Sequence, residues 1–128
     1  MDIKIKIINN FQIEAKTGSH LIKSDQSKEA GGDETAPNPY EYFLASIGLC
    51  TAHYVNAFCK QRNIETKEIE IIENISKDHT TGKVSFDTRI KLPASFPEKY
   101  KDALLKTAEA CTVKKAIQST PEFKLSLV

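Results

Sequence analysis

Net charge is nearly absent from this sequence. Lys and Arg total 18 against 17 Asp and Glu, a formal +1, so no electrostatic field favours nucleic acid or an anionic membrane. Arginine itself is scarce: Arg62 and Arg89 are the only two, and the rest of the basic side is lysine. No Cys-x-x-Cys or His-x-x-x-His pair occurs, and His20, His53 and His79 are scattered. That argues against a zinc site, and no metal or other cofactor is expected. Gly31-Gly32 lacks the spacing of a phosphate or dinucleotide loop, so no nucleotide site is read there. The opening Met1-Asp2-Ile3-Lys4-Ile5-Lys6 alternates polar and apolar, with no apolar run of signal-peptide length. A cytoplasmic protein is the resulting expectation. Internal repeats, low-complexity segments and linkers are also missing.

What remains is 128 residues with 40% apolar and 27% charged content, the size and composition of one globular domain over residues 1–128. Residues 42–59 carry no Asp, Glu, Lys or Arg, long enough to raise a membrane span. Ser46, Gly48, Thr51, His53 and Asn56 dilute it, so a helix buried on most sides of a soluble protein is the better reading. Residues 3–8 and 11–15 read as strands joined at Asn9-Asn10, and a third strand follows Thr17-Gly18-Ser19. Pro37 and Pro39 close a polar loop and mark a boundary. A long helix is expected from about Tyr40 to Arg62, with Tyr40, Phe43, Ile47, Cys50, Tyr54 and Ala57 on its apolar face. Strands 68–75 and 83–92 follow, then helices 98–110 and 112–118 and a closing strand 123–128. This order defines an α+β domain. Periodicity leaves open whether the N-terminal strands pair within the chain or with a second subunit.

Three cysteines, at 50, 59 and 111, form an odd count that argues against a structural disulfide framework. Cys50 lies mid-helix on the apolar stripe, where free cysteine commonly packs as a small hydrophobe. Cys111 falls at the junction of two helical segments, where free N–H groups and the dipole lower a thiol pKa. Lys114 and Lys115 follow it at i+3 and i+4, either leaning over the sulfur or forming a solvated face. Cys59 lies half a turn out of phase with Cys50 and reads as a bystander. His53, at i+3 from Cys50, is within reach for a Cys–His pair, although a packed, hydrogen-bonded histidine is the simpler explanation. Glu41 reads most simply as a first-turn acid favoured by the helix dipole.

The wording of two segments adds information. Gly31-Gly32, then Pro39-Tyr40-Glu41, then the small and apolar run Phe43-Leu44-Ala45-Ser46-Ile47-Gly48-Leu49 leading to Cys50, resembles the signature of the OsmC/Ohr family. Cys111-Thr112-Val113-Lys114-Lys115-Ala116-Ile117 is similar to that family's second cysteine and the short helix after it. The resemblance covers essentially the whole chain. It implies an antiparallel sheet wrapped around a central buried helix, in an intertwined homodimer with sites at the subunit interface. It implies a thiol-dependent peroxidase for organic hydroperoxides in oxidative stress defence. Cys50 would become a sulfenic acid, Cys111 would condense with it to a disulfide, and a dithiol reductant would reopen the bond. Glu41 is the match to the family's glutamate, standing nine rather than ten residues before the cysteine. The arginine of Ohr-type N-terminal strands has no counterpart here; Lys16 and Lys23 are the cations available, and a lysine cannot reproduce a bidentate guanidinium. The alternative is a non-enzymatic OsmC-like dimer that binds a small hydrophobic ligand or senses redox state.

Overall fold

The computed structural model describes every residue, Met1–Val128. Two compact units divide the chain, Met1–Ala45 and Ser46–Val128, and a single helix runs across the boundary.

The first unit is built on hairpins. Strands β1 (Ile3–Asn9), β2 (Gln12–Thr17) and β3 (His20–Ser24) form an antiparallel sheet in that order. Asn10 and Gly18 take the positive φ values that the two turns need. The polar loop after β3 is tied together by Asp25, which is buried. Its carboxylate accepts from the Gln26 N–H at 2.8 Å, the Thr35 N–H at 3.1 Å and the Thr35 hydroxyl at 2.7 Å. Burial opposes the charge, but these bonds outweigh it and hold the carboxyl below its usual value. Gly32 must be glycine here, since a Cβ would lie 2.1 Å from the Gln26 carbonyl oxygen.

Helix α1 (Pro39–Gln61) starts and stops with well-defined chemistry. Pro39 occupies the first helical position, where its missing N–H is no loss. Asn38 and Glu41 exchange side chain-to-backbone hydrogen bonds at 2.8 and 2.9 Å, a capping box. At the other end Asn63 adopts a left-handed φ of 53°. The Ile64 N–H then reaches the Cys59 carbonyl and the Asn63 N–H the Lys60 carbonyl, the Schellman arrangement.

The second unit holds the hairpin β4 (Glu70–Lys77) and β5 (Val84–Lys91), followed by α2 (Lys101–Ala108) and α3 (Thr112–Gln118). Register pairs Ile71 with Ile90, Glu73 with Thr88 and Ile75 with Phe86. Alternation therefore puts one polar pair in the middle of an otherwise apolar face. The core joins Val55, Phe58 and Cys59 of α1 to Phe96, Leu104 and Ala108, with Ile69, Ile71, Ile90 and Leu92 packed on it. Each fully buried Val, Leu or Phe side chain among them contributes roughly 1.5–3 kcal/mol.

The structure corrects four expectations. The buried stripe of α1 is Ile47, Thr51, Val55, Phe58 and Cys59, which shares only Ile47 with the stripe read from the sequence. At 100° per residue the two stripes differ by about 80° around the helix. α1 is also covered on one side rather than most, with Leu49 70% exposed. Finally, the closing strand does not form. Residues 119–128 have no regular structure and Phe123 is 89% exposed, because an extended segment becomes a strand only against a neighbour that takes its hydrogen bonds. The strands themselves belong to two separate sheets rather than one.

Candidate thiol site

The rotation of the buried stripe decides the setting of Cys50. Rather than pointing into the core, it lies at the edge of the buried face and is partly exposed. The N-terminus of α3 covers it there. Cys50 Sγ is 3.6 Å from Thr112 Oγ1. It also interacts with the backbone N–H groups of Val113 and Thr112 and with the Cys111 side chain. Burial pushes this thiol up. The Val113 N–H, the Cys111 thiol and the two Thr112 donors pull it down further, so that it falls from 9.0 to about 7.

Cys111 is its opposite. It is fully buried and unoxidised, and burial followed by its bond to Cys50 pushes its thiol up. Its sulfur is the N-cap of α3, accepting from the Lys114 N–H at 3.4 Å. Two neighbouring free thiols thus differ in character: the surroundings draw Cys50 toward ionisation and push Cys111 away from it. The low-pKa character that the sequence suggested for Cys111 belongs to Cys50, since burial and the neighbouring Cys50 outweigh the Lys114 and Val113 N–H groups at Cys111.

Beside this pair, β4 comes very close to α1. A Cβ on Gly48 would lie 2.8 Å from Glu73 Oε2, while the Thr88 hydroxyl donates to Glu73 Oε1 at 2.7 Å. A groove of about 270 Å³ lies alongside, lined by Ile47, Phe86, Thr88, Lys114, Ile117 and Gln118. One wall is mostly apolar and the other carries a single ammonium.

The remaining candidates lie elsewhere. Cys59 is a core residue, with burial first among the causes that raise its thiol. His53 is exposed rather than packed, edge-on to Tyr54 at 5.4 Å between ring centroids. Glu41 serves the capping box with Asn38, nine residues before Cys50 on the same helix. Arg62 lies over the Phe58 ring at 3.6 Å and donates to the Phe58 carbonyl at 3.1 Å, and Arg89 pairs with Asp87 at 3.1 Å. Thr112, Val113, Glu73 and Thr88 were not among the residues singled out from the sequence. Only the identity of Thr112, next to a cysteine at a helix start, carried any signal.

An α+β domain that brings two free cysteines to the start of one short helix is the arrangement the comparisons have to account for. The chain belongs to the OsmC-like protein family, whose sequence profile matches residues 31–126. No curated protein matches it. Among solved structures, it is similar to a protein of Psychrobacter arcticus named for the osmotic stress and detoxification response. The TM-score is 0.72 and identity 16%, over 89% of this chain and 85% of that one. An OsmC-like protein of Mycoplasma pneumoniae gives 0.65 at 16% identity, over 93% and 87% of the two chains. The organic hydroperoxide resistance protein OhrB of Bacillus subtilis gives 0.54 at 21% identity, over 94% and 93%. At these identities the likeness establishes the shared fold.

Proposed function

We propose that this protein is a cytoplasmic thiol-dependent peroxidase that reduces organic hydroperoxides in oxidative stress defence, acting as a homodimer. The observation that carries the reading is that two free cysteines meet at one helix start, Cys50 Sγ 3.6 Å from Thr112 Oγ1 and Cys111 Sγ capping α3, with Cys50 drawn to about 7 and Cys111 pushed up. The Cys50 thiolate attacks the terminal oxygen of the hydroperoxide. An S–O bond forms, the O–O bond breaks, and the departing alkoxide takes a proton to become the alcohol. Cys50 is left as a sulfenic acid. The Cys111 thiol then attacks its sulfur, water leaves, and the resulting disulfide is reopened by a dithiol reductant. The groove bounded by Ile47, Phe86 and Ile117 gives an organic substituent an apolar surface to lie on. Glu41 holds the start of α1 in this scheme and takes no chemical step.

The second reading, a redox-sensing or ligand-binding dimer, is favoured by one observation: both arginines are engaged away from Cys50. Dithiol-dependent consumption of an organic hydroperoxide separates the two. The peroxidase reading expects turnover by the wild type and none by Cys50→Ser. Wild-type protein inert with every dithiol from about pH 6 to 9, where the thiolate becomes fully populated, would select the sensor.

A further inference from the structure

A thiolate has no proton of its own to offer, so whatever stabilises it must donate. Around Cys50 the donors include the N–H groups of Val113 and Thr112, which belong to the backbone, and one side-chain hydroxyl, that of Thr112. At the start of a helix a threonine hydroxyl ordinarily caps the first turn. Here that task is already taken, because Cys111 is the N-cap and its sulfur accepts the Lys114 N–H. The Thr112 hydroxyl is free to turn outward, and it stands 3.6 Å from Cys50 Sγ, within reach for a hydrogen bond to the larger sulfur atom.

We propose that Thr112 is a further catalytic residue of this site, its hydroxyl donating to the Cys50 sulfur and holding it as the reactive thiolate. A hydroxyl adds something that an amide cannot, because it can rotate. As the thiolate's electron pair forms the S–O bond, the terminal peroxide oxygen keeps its hydrogen. The O–O pair leaves on the alkoxide, which takes a proton from water, so sulfur is oxidised and the peroxide reduced. Thr112 keeps its own proton throughout. The effect on turnover rests on the peroxidase reading; the effect on Cys50 does not.

The test uses the full-length chain and follows Cys50 alkylation by iodoacetamide against pH, read at its own peptide by mass spectrometry. Titratable groups around Cys50 are His53 and Tyr54 on α1, Cys111 ahead of α3, Lys114 and Lys115 on α3, and Glu73 on β4. All are unchanged in Thr112→Val, which is isosteric and keeps the backbone N–H. In that variant the midpoint of the profile moves up by about one pH unit, and alkylation at neutral pH falls about three- to fivefold. Thr112→Ala behaves alike, and Thr112→Ser restores the wild-type profile. Hydroperoxide kcat/KM follows the same order. Should Val, Ala and wild-type profiles superimpose, or Ser fail to restore, the assignment is overturned. A moved midpoint in a protein whose wild type consumes no hydroperoxide leaves Thr112 as the donor and removes the peroxidase reading instead.

Discussion

Cys50 and Cys59 share a helix and differ only in what surrounds them. Cys59 meets Val55, Phe58 and Leu104 in the core, and burial leads the causes that push its thiol up. Cys50 meets a helix start. Its folded pKa is depressed, so the thiolate is the form that the site favours. Reactivity should therefore be low in acid, rise as pH passes about 7, and level off above it, visible in the pH dependence of kcat/KM. A profile still climbing steeply toward about pH 9, the range of an unassisted thiol, would contradict the assignment. Cys111→Ser should allow one round of Cys50 oxidation and then stall or drift to the sulfinic state, since nothing captures the sulfenic acid. Mass spectrometry after a single peroxide equivalent distinguishes these products. Cys59→Ser should leave turnover nearly intact while lowering stability by about 1–3 kcal/mol, because it buries a hydroxyl among apolar neighbours. A large loss of turnover without loss of fold would give Cys59 a role denied to it here.

At the scale of elements, the contact between α1 and β4 sets two small effects against each other. Gly48→Ala gains about 1 kcal/mol in helix propensity. The new methyl displaces the Glu73 carboxylate from Gly48 and disturbs its bond from Thr88, a charge-assisted bond worth about 1.5–3 kcal/mol. The net expectation is a loss of about 1 kcal/mol in wild type and a gain of about 1 kcal/mol in a Glu73→Ala background. Denaturant melts of the four proteins close this cycle; equal effects in both backgrounds would mean that the contact carries no energy. Much of this architecture was legible beforehand. Asn10 and Gly18 announced the turns of the first sheet, and α3 occupies the residues expected of it, because turn and cap chemistry is local. The direction of the α1 stripe was not legible: an uncharged run offers apolar residues all round, and β4, β5 and α2 select the face. Nor was Thr112 as a partner of Cys50, since 62 residues separate them and only the meeting of α1 with α3 joins them.

The whole chain leaves a good deal of apolar surface in water. Ile3, Ile5 and Ile7 on β1, Leu49 on α1, and Phe123, Leu125 and Leu127 in the tail are all at least half exposed, more than a stable monomer usually tolerates. A second copy of the chain covering them should bury over about 2,000 Å², the obligate class. Sedimentation should then show a dimer at micromolar concentration, with a Tm that rises with protein concentration. A folded monomer under those conditions would refute the assembly. The double duty of Cys111 has a consequence of its own. The atom that would close the disulfide is also the one that fastens the first turn of α3, and the unstructured tail hangs from the other end of that helix. Each catalytic cycle would therefore write its oxidation state into the local stability of the C-terminus, loosening and refastening it as the sulfur changes hands.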